Sequence, residues 1–273
     1  GEAAGGVSSL LSGFSIEVTV KGASSVPSFS QILPRGTKVF IASLADTSQA
    51  DMAALCQRLV SEGMVPVPHV AARGIKSNEA LEAILKGYAD AGVSQVLVIS
   101  GDVKTPVGPF TSAIDALRTG LFTKFGIQHV NVAGHPEGSA SIPDVMKAVV
   151  DKVAWAEEAG VGMDIITQVC FDAGTIVDYM KSLREGGVKN RVRVGVAGPV
   201  KISNLMKLAG TLGIGPSSQL LLSQPGLVAQ VAAMNDSNML VAALADSPLG
   251  KGELGGVDVH VYSFGGIQTA AEW

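Results

Sequence analysis

The sequence has little of several things, and each shortage removes a class of protein. Two cysteines, Cys56 and Cys170, among 273 residues cannot make a disulfide framework. Cys56 falls on a predicted helix and Cys170 near a predicted strand end, so both read as reduced, buried thiols. Charged residues are only 16% of the chain, the net charge is −4, and Lys and Arg are scattered. No basic patch offers itself to nucleic acid or to a membrane surface. The longest apolar stretches are each broken by Gly, Pro or charge, which leaves no membrane span. No signal peptide stands out, Gly1–Gly6 reads as small and flexible, and a cytoplasmic location is expected. There is no His-Glu-x-x-His or Cys-x-x-Cys spacing, and His69 and His135 fall on different strands, so no metal site is expected. No Gly-x-Gly-x-x-Gly opens a helix after a strand, and no Walker loop is present.

What is present is a large apolar fraction, 47%, with a positive mean hydropathy. Val96–Ile99 is a continuous apolar run that stops at Ser100-Gly101-Asp102, as a strand buried on both faces would. Gly101 supplies the turn at its exit. The same unit recurs. Strands are expected at Ser15–Val20, Lys38–Ser43, Val65–Val70, Val96–Ile99, Gln128–Gly134, Met163–Gln168, Arg191–Val196 and Val257–Tyr262. Helices are expected at Thr47–Glu62, Ser77–Ala91, Phe110–Phe125, Pro143–Ala159, Ile176–Glu185 and Ile267–Trp273, with several more over 203–246. Pro66 and Pro68 suit a strand end better than a paired centre. Strands alternating with helices mean a parallel sheet with crossovers. Eight such units in a chain near the ~250 residues of a typical barrel point to one catalytic domain, a closed (β/α)8 TIM barrel with extra helices between strands seven and eight. An open doubly wound sheet is the lesser alternative.

A barrel of this kind places its chemistry where the strands end. Those positions carry Glu17, His69, Asp102, His135, Glu137, Gln168 and Asp172, a polar set in an apolar chain. Asp102 and Asp172 precede loops or helices and are also candidates for caps, and His69 serves equally as a core histidine or a ligand contact. Glu17 is harder to set aside, because a carboxylate among Ile16, Val18 and Thr19 needs a partner or a raised pKa. Arg191 and Arg193 read as a solvated strand start, and Gly195–Pro199 as a loop turn.

Taken in order, these segments resemble the methylenetetrahydrofolate reductases. Ser15-Ile16-Glu17-Val18 resembles that family's Ser-Phe-Glu-Phe, Pro68-His69-Val70 its Pro-His-Leu, and Ser100-Gly101-Asp102 its Arg-Gly-Asp. His135-Pro136-Glu137 resembles Tyr-Pro-Glu, and Thr167-Gln168-Val169-Cys170-Phe171-Asp172 resembles Thr-Gln-Phe-Phe-Phe-Asp, the most specific piece. Ala197–Val200 and His260–Ser263 complete the set. The resemblance implies reduction of 5,10-methylenetetrahydrofolate to 5-methyltetrahydrofolate, with hydride passing from NAD(P)H through FAD. It implies Glu17 as general acid, Asp102 and Gln168 as contacts of the pterin with Phe171 packed nearby, and His69, Ser100, Gly101 and His135 as contacts of FAD or NAD(P)H.

The departures fall on the flavin side. The family's arginine is Ser100 here, its tyrosine is His135, a following histidine is Ser139, and a helix lysine falls near Ala156. Losing such charge-assisted hydrogen bonds removes roughly 1.5–3 kcal/mol each. Glu17, Asp102 and Gln168 are kept, so folate binding is expected with FAD dependence weakened or lost. The alternative is a non-catalytic or partner-dependent folate-binding barrel. A barrel lyase or transferase using Glu17 and Asp102 as its acid–base pair is a third reading. A homo-oligomer is compatible with the sequence but has no signature in it.

Overall fold

The computed structural model describes residues 2–44, 46–201 and 237–273. Its strands close in sequence order into an eight-stranded parallel barrel: β1 (Ser15–Thr19), β2 (Lys38–Ala42), β3 (Val65–Ala71), β4 (Gln95–Ile99), β5 (His129–Gly134), β6 (Gly162–Thr167), β7 (Arg191–Ala197) and β8 (Val257–Tyr262). This is the (β/α)8 architecture that the alternation of elements predicts. The described helices are α1 (Glu2–Leu11), α2 (Val20–Ser24), α3 (Gln49–Ser61), α4 (Asn78–Asp90), α5 (Ala113–Leu117), α6 (Leu121–Lys124), α7 (Val145–Ala159), α8 (Ala173–Glu185), α9 (Ser237–Asp246) and α10 (Ile267–Glu272). Of the extra helices expected over 203–246, α9 is described and residues 203–236 lie outside the described residues. Among the described residues no helix is long and apolar enough to cross a membrane.

Cα packing divides the chain into two compact units. One comprises Glu17–Ala133 and Val149–Ile165, the other Gly1–Ile16, Gly134–Ala148 and Ile166–Trp273. In the first unit β2, β3, β4 and β5 pair in order. The ladder corrects one expectation, because Pro66 and Pro68 sit inside the paired stretch opposite Val39 and Ile41. Pairing of β3 with β4 starts only at His69, opposite Leu97. The prolines therefore lie where β3 is bonded on one side, and their missing N–H groups leave no rung of the β4 ladder empty. Helix α3 buries Met52, Leu55, Cys56 and Leu59, and α4 buries Leu81, Leu85 and Tyr88, each a stripe at helical spacing. Ser48 and Ser77 cap them, accepting from the N–H of Asp51 and Ala80, each cap worth about 1 kcal/mol.

The helix expected over Phe110–Phe125 is two short ones. Thr119 Oγ1 accepts from the Leu121 N–H, and Gly120 takes a left-handed φ of 74°, so the ladder cannot run through. Phe110 and Phe122 are buried, while Phe125 is half-buried beneath the Lys124 ammonium.

In the second unit β7 and β8 pair from Val192 with Val257 to Ala197 with Tyr262. Here α1 replaces the expected flexible start. Leu10 is buried, and a side chain at Gly6 would lie 2.9 Å from the Ala245 carbonyl of α9. Tertiary packing has ordered a segment whose glycines gave it no local reason to be helical. Arg193 is a second correction. It is 5% exposed, within 3.4 Å of Asp258 Oδ2 and donating to the Gly13 carbonyl at 2.7 Å. Arg191, exposed as expected, donates to the same carboxylate at 2.9 Å. β7 runs one residue past the expected Val196, to Ala197, and the turn read at Gly195–Pro199 begins only after it.

Candidate active site

Strand β1 alternates as its sequence requires. Ile16 and Val18 are buried and Glu17 between them is half-buried on the opposite face. Across from it, His69 near the end of β3 is 8% exposed and brings Nε2 to 3.2 Å from Glu17 Oε2. The approach is within ion-pair distance but out of line for a hydrogen bond, so the contact is electrostatic and ionic only when the imidazole is protonated. The main chain of His69 is fixed by β3–β4 pairing, and its carbonyl lies 3.5 Å from the Tyr88 hydroxyl.

At the end of β4, Ser100 Oγ accepts from the Ala113 N–H at 3.3 Å, and its carbonyl accepts from the Arg73 N–H at 2.9 Å. Gly101 has φ 87°, and a Cβ there would meet the Cβ of Ala71 at 3.0 Å. Only glycine takes this turn without cost, and it delivers Asp102 to an exposed position. Among the described residues the Asp102 side chain makes no hydrogen bond or ion pair.

In the second unit, Gln168 follows directly on β6. Its N–H donates to the Gly134 carbonyl at 2.9 Å, and its half-buried side chain has no hydrogen-bond partner among the described residues. Phe171 packs with Tyr262 and Phe264 around Val169 and Ala197. His135 is buried and Glu137 half-buried. Asp172 is the N-cap of α8. It accepts from the hydroxyl and N–H of Thr175, each at 2.7 Å, and these bonds hold its carboxyl below the usual carboxylate range. Its capping role was one of the two read from sequence. Cys56 and Cys170 are both buried and unpaired by disulfide, as expected, and burial pushes their thiols up to about 12 and about 11.

Three features escaped the sequence reading. Lys152 is buried on α7, on one face with Val149 and Ala156, and burial lowers its pKa. A lysine at an apolar position of the helical repeat was the available signal. Ser15 Oγ lies 2.8 Å from His260 Nδ1, both fully buried, which no local pattern announces. Tyr262 donates to the Thr167 carbonyl at 2.9 Å. Two charge clusters, Arg191–Arg193–Asp258 in one unit and Lys38–His129–Asp164 in the other, lie at or near the amino ends of their strands, where a barrel keeps stabilising rather than catalytic groups. Among the described residues no three His, Cys, Asp or Glu side chains are grouped to hold a metal ion.

The sequence model of methylenetetrahydrofolate reductase matches residues 21–214. This chain belongs to the methylenetetrahydrofolate reductase family. The match includes His69, Asp102 and Gln168, whereas Glu17 precedes it. A 5,10-methylenetetrahydrofolate reductase of Buchnera aphidicola is 28% identical over 149 residues, 54% of this chain. The chain spans about half the length, 47%, of that curated reductase. Among solved structures, an uncharacterised protein from Clostridium thermocellum that binds two copies of 5-methyl-5,6,7,8-tetrahydrofolic acid superposes with a TM-score of 0.64 at 12% identity, over 97% of this chain and 95% of that one. That likeness is one of fold.

Proposed function

We propose that the chain interconverts 5,10-methylenetetrahydrofolate and 5-methyltetrahydrofolate with NAD(P)H as hydride source and with little or no dependence on FAD. The observation that carries the reading is the half-buried Glu17 on β1 with its carboxylate beside His69, in a chain of this family. The reaction needs an acid there. Protonation by the Glu17 carboxyl makes N10 of methylenetetrahydrofolate a leaving group, the five-membered ring opens, and the cation at the N5 methylene is left to accept hydride. Glu17, once ionised, sits as the electrostatic partner of that cation. The Asp102 carboxylate and the Gln168 amide suit the amino and amide edge of the pterin, and both are without a protein partner among the described residues. NAD(P)H, when bound, supplies the hydride.

The residues do not fit FAD. Ser100, His135, Ser139 and Ala156 stand where the resemblance puts flavin contacts, and none is a permanent cation for a pyrophosphate. Ser100 Oγ accepts from the Ala113 N–H, which leaves it a single neutral O–H donor, and His135 is buried. The test is NAD(P)H oxidation driven by methylenetetrahydrofolate, expected in the wild type and lost in Glu17→Gln, together with an absorbance scan of the purified protein. A stoichiometric yellow flavin rejects the loss of FAD. Folate binding with no turnover rejects the reductase reading.

A further inference from the structure

Tyr262, the last residue of β8, reaches past β7 to β6. Its hydroxyl donates to the Thr167 carbonyl at 2.9 Å. It can do so because the residue of β7 in its way is glycine. A Cβ on Gly195 would lie 2.7 Å from Tyr262 Cε2 and 2.5 Å from the Thr167 carbonyl oxygen. The Gly195 N–H donates to Thr167 Oγ1 at 2.8 Å, and that hydroxyl donates onward to the Gln168 carbonyl at 3.0 Å. With the Gln168 N–H on the Gly134 carbonyl, the main chain on both sides of the Thr167–Gln168 link is tied. The Gln168 side chain has no partner among the described residues. The Tyr262 ring is held in turn, stacked on Phe264 at 5.6 Å and 16° and met edge-on by His260 at 4.8 Å.

A tied backbone carrying a spare amide is how a binding group is pre-organised. We infer that Tyr262 is a positioning residue, which through Thr167 sets the direction from which Gln168 presents its amide to the pterin. The inference rests on the folate reading above, since it takes Gln168 as a pterin contact.

The test is calorimetric titration of 5-methyltetrahydrofolate into the wild type, Tyr262→Phe, Gln168→Ala and the double variant. Tyr262→Phe keeps the ring and loses only the hydroxyl. Unfolded protein lowers the stoichiometry rather than changing Kd, so loss of fold is read separately. Tyr262→Phe is expected to weaken binding by about fivefold to tenfold, the worth of one hydrogen bond. In the double variant it is expected to add less than about twofold to the loss caused by Gln168→Ala, because both act through one group. Binding by Tyr262→Phe within about twofold of wild type, or losses that multiply in the double variant, overturns the inference and leaves the folate reading standing. Unchanged binding by Gln168→Ala overturns the pterin role of Gln168 and the inference with it.

Discussion

His69 Nε2 lies 3.2 Å from Glu17 Oε2, a contact that joins β1 to β3 between side chains 9% and 19% exposed. The proposed acid is thus neither free in solvent nor sealed in the core. Glu17→Gln removes the only proton that the proposed ring opening draws from this side chain, and its kcat is expected to fall by about 100-fold or more. His69→Asn leaves the acid in place without the imidazole, and a fall in kcat of about tenfold is expected from misplaced geometry. Steady-state NAD(P)H oxidation measures both. Wild-type turnover in either variant removes the corresponding role.

Lys152 tests the cost of a buried cation. It is 7% exposed and has no carboxylate partner on α7 beyond the neighbouring charge of Asp151. Lys152→Met is expected to raise stability by about 1–3 kcal/mol, read by denaturant titration. Burial holds the folded pKa below its ordinary 10.5, so between those two values the unfolded chain binds more protons. Wild-type stability therefore rises with pH across that window, and the variant is expected to lose the rise.

The two thiols work in the opposite sense. Cys56 and Cys170 are raised from 9.0 to about 12 and about 11 by burial. Their neutral forms favour folding fully below pH 9, and that contribution is lost as pH climbs through 9 toward 11 and 12. A thiol reagent at neutral pH is expected to label neither in the folded protein and both in denaturant. Prompt labelling of the native chain contradicts the burial.

Asp258 neutralises Arg193 with both side chains 6% exposed. Asp258→Asn takes away the buried carboxylate that Arg191 and Arg193 share, and a loss of about 3–5 kcal/mol is expected from denaturant unfolding. Folate affinity of the surviving folded protein is expected to stay unchanged, since the pair lies near the amino ends of β7 and β8.

Much of the fold was legible because its signals are local. Ser48, Ser77 and the apolar stripes of α3 and α4 mark those helices within a few residues, and the run ending at Ser100-Gly101-Asp102 marks β4. The misreadings came where a neighbour outvoted the local pattern. α1 is helical because α9 packs on it, Pro66 and Pro68 are tolerated because β4 pairs only beyond them, and Arg193 is buried because Asp258 arrives from the next strand.

The order of strands, the turns that end them and the residue types placed there are properties of the chain read in one dimension, because period, punctuation and capping act over a handful of residues. Partnerships such as Glu17 with His69, or Tyr262 with Thr167 across 95 positions, were decided only by the closed structure. Such contacts depend on strand register and on which side chains lack a Cβ in the way, and neither is written in the neighbouring sequence.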